Sequence, residues 1–281
     1  MTQQSAIEGW AAQPHISARS VIVTVIGDTL IPVVSSVWMA QMMALTEIFG
    51  FSDRLIRTSM TRLVNDGWLT NERVGRQSRY HFTELALRES AQADGRIYSV
   101  EAADWTGEWT LVFLSNLDAD SRQLIADDLR WNGFVRIGRE LLASPTSTCD
   151  DAKALCRLIA PSASPAVATA TFTDVEHLVE DGFFTADSDG AMVVEAYEHF
   201  AERHSQGNTT TMSSMEAYAT RTMLVHDLRR IRLRWPDALE AKPVIELAAH
   251  QYAELSGTAV PFLTELLELE YPTIMKGRFG Q

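Results

Sequence analysis

The chain has 281 residues, 46% of them hydrophobic, and a formal net charge of −13. That length can bury a substantial core in two or three domains, and no apolar run approaches the roughly 20 residues needed to cross a bilayer. The start MTQQSAIEGW lacks the basic and apolar stretches of a secretory leader, so a soluble cytoplasmic protein is expected. An acidic surface excludes indiscriminate polyanion binding over the whole molecule, but not a local basic site.

In chain order, SARSVIVTVIGD predicts a short apolar helix that ends near Gly27 and the following Pro32. SSVWMAQMMALTEIFG predicts a second, with Ser35 and Ser36 as N-cap candidates, a stripe through Trp38, Met42, Leu45 and Phe49, and Gly50 as its stop. Ser52 can cap a third helix running from Asp53 to about Asp66, with Asp53 in the first turn, where the helix dipole favours an anion. Gly67 is placed for a left-handed C-cap. Ile56, Met60, Leu63 and Val64 fall on one buried face, which turns Arg54, Arg57, Thr58, Thr61, Arg62 and Asn65 outward.

The period then changes from helical to extended. Trp68-Leu69-Thr70 reads as a strand and Arg79-Tyr80-His81-Phe82-Thr83 as its return, with Arg73, Arg76, Gln77 and Ser78 around a turn at Gly75. Between Arg54 and Arg79, six arginines meet only Asp66 and Glu72, a local net of about +4 in an acidic chain. Guanidinium forks suit phosphate and guanine edges, an amide such as Asn65 suits adenine, and short hydroxyls suit the backbone. Two helices, a glycine-ended basic helix and a basic hairpin have the layout of a winged helix-turn-helix, whose third helix enters the major groove. The expected DNA contacts are Ser52, Arg54, Arg57, Thr58, Thr61, Arg62 and Asn65 of the helix and Arg73, Arg76, Gln77, Ser78, Arg79 and Tyr80 of the hairpin. The bland alternative is a solvated charged face on an ordinary module.

These same residues carry a resemblance. GFSDRLIRTSMTRLVNDGWLTNERVGRQSRYHFTE, with the preceding SARSVIVTVIGD, resembles the N-terminal region of the PaaX family of phenylacetic acid catabolism repressors. Asp53 stands where that family often has Glu, and Gln77 where it often has a second Arg. The resemblance implies a transcriptional repressor that an aryl-acetyl-coenzyme A thioester releases from its operator.

Residues 84–104 form a polar connector, helical from Glu84 to about Ala91. EWTLVFLS reads as a strand, then a helix follows through Leu124, Ile125 and Leu129 to a stop at Gly133, with Asp118 and Asp120 as solvated residues at its start. A strand-like segment, the helix CDDAKALCRLIA and the strand AVATATFT complete a strand–helix–strand–helix–strand order, which describes a small ferredoxin-like domain. The family resemblance adds a Cas2-like fold here, without nuclease chemistry. Cys149 and Cys156 have neither redox nor zinc spacing and read as buried or incidental thiols.

From about Ser188 helices dominate. GAMVVEAYEHFAERHSQGN is expected to end at Gly207-Asn208, SSMEAYATRTMLVHDLRRIRLRW at Pro236, and KPVIELAAHQYAELSGTAVPFLTELLELE to form two pieces separated around Gly257. LVHDLRR resembles the family's C-terminal signature, while the following LRWPDALEAKP departs from it. His226, Arg229 and Arg230 share a helix face able to hold phosphates of an acyl-coenzyme A, and Trp131 can line an aromatic pocket; inter-domain ion pairing and core packing are the alternatives. His199 and His204 are five apart and do not suggest a metal site.

The expectation is therefore a multidomain α+β chain: a winged helix-turn-helix domain with connector (1–100), a ferredoxin-like domain (101–187) and a helical domain (188–281). It is expected to be a homodimeric regulator that binds a double-stranded operator, with no catalytic, metal or cofactor site. The alternative function is an interaction or scaffold protein whose winged-helix module meets protein or RNA.

Overall fold

The computed structural model describes residues 3–14, 16–99, 108–131, 134–137, 140–144, 147–171, 199–204, 212–233, 242–273 and 278–280. The chain is a mixture of helix and antiparallel sheet. It divides into two compact units, one of residues 1–100, 204–228 and 246–281, the other of residues 101–203 and 229–245. The tail expected as a helical domain at 188–281 is thus shared between the two units.

The first unit opens with α1 (Gln3–Ala11) and α2 (Ala18–Val25). Ser17 caps α2 by accepting from the Ser20 N–H. The helix does not end at Gly27 but widens into a π-helical turn, Ile26–Leu30, that buries Asp28 and Thr29. Next come β1 (Ser36–Trp38) and α3 (Met39–Glu47). Ser35 and Ser36 do not cap α3: Ser36 is drawn into a strand that pairs with the later hairpin. The Gln41 side chain instead reaches back to accept from the Trp38 N–H at 3.0 Å. After α4 (Asp53–Asn65), β2 (Leu69–Val74) and β3 (Gln77–Phe82) form a hairpin, and the sheet order is β1-β3-β2. The connector is helical further than expected, as α5 (Glu84–Ile97). Thr83 holds its start by accepting from Ala86 N–H.

The second unit contains β4 (Glu108–Phe113), α6 (Ala119–Trp131), β5 (Val135–Arg136), β6 (Leu141–Ser144), α7 (Cys149–Ile159) and β7 (Ala166–Thr171). Its antiparallel sheet has the order β5-β6-β4-β7. Where one strand was expected between the helices there are two short ones. Val112, Leu114, Ile125, Leu129, Phe134, Leu142 and Cys156 form the core of this unit. Asp118 caps α6 by accepting from Ser121 N–H, and this bond lowers its carboxyl pKa. Thr148 and Asp151 cap α7 reciprocally. Both cysteines are free, and burial pushes the Cys156 thiol up to about 11.

The two long C-terminal helices are α8 (Ser214–Arg232) and α9 (Lys242–Leu267). The expected break at Gly257 is absent, and Pro261 lies inside one continuous helix. An interior proline costs about 3 kcal/mol. Burial of Tyr252, Leu255, Ala259 and Leu263 offsets it, because each large apolar side chain is worth about 1.5–3 kcal/mol. The helix expected over 190–208 is described only at 199–204, and Gly133, Gly207, Asn208 and Pro236 lie outside the described residues.

Candidate nucleic-acid interface

Helix α4 is fixed at both ends by local chemistry. Ser52 has extended backbone at the N-cap, and its hydroxyl accepts from the Leu55 N–H. At the other end Trp68 N–H donates to Leu63 carbonyl at 2.9 Å and Gly67 N–H to Val64 carbonyl at 3.0 Å. That paired arrangement needs a left-handed residue, which Gly67 supplies at φ 76°. Ile56, Ser59, Met60 and Leu63 are buried. Arg54, Arg57, Thr58, Thr61, Arg62 and Asn65 all face solvent. Thr58 and Thr61 donate their hydroxyl protons to the carbonyls of Arg54 and Arg57, leaving oxygen lone pairs outward as acceptors only.

The hairpin turns in two residues, Gly75 and Arg76, between the paired Val74 and Gln77. Gly75 alone takes a positive φ, 61°, as a type II′ turn requires. Arg73, Arg76 and Gln77 are exposed at its tip, and Ser78 is half-buried. Arg73 Nε donates back to the Gly75 carbonyl at 3.4 Å. Among the described residues no carboxylate pairs with Arg54, Arg57, Arg62, Arg73 or Arg76. The two acidic residues of the segment are otherwise engaged, Asp66 with Arg19 of α2 and Glu72 with His81. The exposed guanidinium groups therefore keep their full charge toward solvent.

Two expected contact residues are placed differently. Tyr80 is 6% exposed, on the inner face of the sheet between Val37 and Asn71, so it offers no surface to a duplex. Burial raises its phenol pKa, against the pull of Arg57. Arg79 is half-buried: its Nε donates to Ser36 Oγ at 2.8 Å and its guanidinium lies 5.2 Å from the Trp38 ring centre. It braces the sheet edge. Strand alternation carries the signal, since residues 79 and 80 of one strand must face opposite ways.

The residues expected at an effector site are not gathered on an open face. His226 is fully buried, with Nδ1 3.0 Å from Thr24 Oγ1 and its ring edge-on to Trp10. Arg229 is buried and Arg230 half-buried. The Trp131 side chain lies outside the described residues.

A buried ionic knot was not foreseen. Asp28 accepts from Tyr98 Oη at 2.8 Å and Tyr252 Oη at 2.9 Å, and pairs with Arg221 Nη2 at 3.2 Å. Arg221, with no exposure, also donates to Thr29 Oγ1. Arg278 lies 3.8 Å over the Tyr98 ring, donates to the Gly27 carbonyl and pairs with Asp94 at 2.6 Å. Burial raises the Asp94 pKa, although Arg278 pulls it the other way. A second buried carboxylate, Asp227, accepts from Trp10 Nε1 and contacts His204. A lone Asp at the end of the apolar run SVIVTVIGD is the one sequence signal for this knot.

Comparison with known proteins adds a likeness over part of the chain. Residues 17–86, which hold α2 through the first residues of α5, match the family of PaaX-like proteins. The chain is also 34% identical over 140 residues to the transcriptional repressor PaaX of Escherichia coli (strain K12), a match covering 50% of this chain and 44% of that one. The chain thus spans less than half the length of that relative. Among solved structures, an uncharacterized protein from Mycobacterium tuberculosis aligns over 90% of this chain and 96% of its own, at 17% identity and a TM-score of 0.46. By sequence, the likeness to PaaX-like proteins is carried by residues 17–86.

Proposed function

We propose that this chain is a DNA-binding transcriptional repressor and not an enzyme, with α2 to β3 forming a winged helix-turn-helix. In this reading α4 enters the major groove and the β2–β3 hairpin is the wing that grips the flanking backbone. One observation carries it: unpaired arginines occupy the solvent face of a doubly capped helix and the tip of a tight hairpin, in a chain whose remaining charge is strongly negative. Each phosphate neutralised releases counterions, so affinity should fall steeply with salt. The β4–β7 unit, with two helices and an antiparallel order in which the first and third strands are central, suits a ferredoxin-like domain.

The finer parts rest on the family likeness. The operator would control an aromatic-acid, phenylacetate-type catabolic operon, the repressor would act as a homodimer on two half-sites, and an aryl-acetyl-coenzyme A thioester would release it. Release requires only that the thioester bind the DNA-incompetent arrangement more tightly. A gel shift on the chain's own upstream region tests the central claim. Retention below about 100 nM at physiological salt, lost as salt rises, is expected. Retention no better than on scrambled DNA would sink the repressor and favour a scaffold role. Calorimetry with phenylacetyl-coenzyme A tests the effector; absence of heat would remove this ligand and leave the DNA-binding reading standing.

A further inference from the structure

We propose that Leu55 reads a thymine, by packing against its 5-methyl group in the major groove. The inference rests on the DNA-binding reading above and adds the kind of base the site selects.

Leu55 is the one large aliphatic residue of α4 that faces water. It is 45% exposed, whereas Ile56, Met60 and Leu63 are at 1% or less. A single exposed leucine is ordinary on a protein surface, so the argument lies in its position. Leu55 is the third residue of the helix, in the first turn, where a groove-entering helix presents side chains to base edges. Its backbone is held there by the Ser52 cap.

Thr58 and Arg62 follow it at i+3 and i+7, on the same strip of the helix surface. Arg54 precedes it. Neither Arg54 nor Arg62 is ion-paired among the described residues. A partner that covers Leu55 must therefore be anionic on both sides of an apolar group. Duplex DNA meets that description in the major groove, where thymine carries a methyl group between two rows of phosphates. An acidic protein would need to bring an apolar side chain to the same point and would not explain the hairpin arginines.

The test begins with the full chain and duplexes selected from a random-sequence library. In the tightest selected duplex each thymine is replaced in turn by uracil, which removes only the methyl group. For the native chain, one replacement should weaken binding about fourfold, the worth of one buried methyl-sized group. Leu55→Ala should bind the thymine duplex more weakly by a similar factor and be indifferent to that replacement. Leu55→Met should restore the sensitivity. Because Leu55 is exposed, both variants should melt at the native temperature.

The inference is overturned if every uracil replacement changes native binding less than twofold. It is also overturned if Leu55→Ala keeps the same sensitivity at the same base, or if Leu55→Ala lowers the melting temperature as a core truncation would. Selection of no duplex at all would instead bring down the DNA-binding reading itself.

Discussion

The same side chain does opposite work in two regions of the first unit. At the surface, Arg54, Arg57, Arg62, Arg73 and Arg76 keep their charge unpaired on a face made rigid by caps and a tight turn. Inside, Arg221 and Arg278 are spent on carboxylates, carbonyls and tyrosine rings that lie far away in sequence. Guanidinium serves both because it is planar, weakly hydrated and always charged. The difference lies in what surrounds it: water keeps the outer groups available, and protein commits the inner ones to holding Asp28 and Asp94.

If that contrast is correct, Arg221→Ala should have the largest effect, since it leaves Asp28 buried without its guanidinium. A loss of about 3–5 kcal/mol in chemical denaturation is expected. A loss under about 1 kcal/mol would mean that the tyrosine hydroxyls alone suffice for Asp28. Arg57→Ala should do the reverse, costing ~1–3 kcal/mol of specific DNA affinity if that arginine reads a base, with the melting temperature unchanged. Unchanged operator affinity would move the base contact elsewhere on α4.

The inner region should also show itself at alkaline pH. Burial raises the phenol pKa values of Tyr98, Tyr252 and Tyr271 above the ordinary 10.0. The folded state therefore holds protons that the unfolded chain releases. The stability these groups contribute is complete below pH 10 and lost as pH rises toward the folded values. The slope is about 1.4 kcal/mol per pH unit for each phenol. Tyrosinate absorbance from these groups should appear together with unfolding, and an earlier appearance in the native protein would refute the burial argument.

At the outer edge, Arg76→Ala should weaken binding alike on all sequences and lower the salt slope by about one. Tyr80→Phe should be the mildest change, leaving DNA affinity within about twofold because the side chain faces inward. A larger loss would return Tyr80 to the interface.

What was legible in the sequence follows the range of the interactions. Ser52, Gly67 and Gly75 act on neighbours within a few residues, so α4 and the hairpin could be drawn from the sequence. Ser36 was misread because its strand partner, His81, lies 45 residues on, and only the folded sheet reveals it. The knot was invisible for the same reason: Tyr252 reaches Asp28 across a separation of 224 residues, and Arg278 reaches Gly27 across 251. Gly257 misled in another way. Local propensity marks it as a break, but the buried face of α9 overrides a cost of about 1 kcal/mol.

The two-residue turn of the hairpin makes the wing a ruler with coarse divisions. Side chains alternate along a strand, so lengthening β2 and β3 by one pair would carry Arg73 and Arg76 outward and swing them to the opposite face. Two pairs would restore their direction and add about 7 Å of reach. A wing of this design can adapt to a more distant stretch of backbone only in such paired steps, so relatives that differ here should differ by four residues more often than by two.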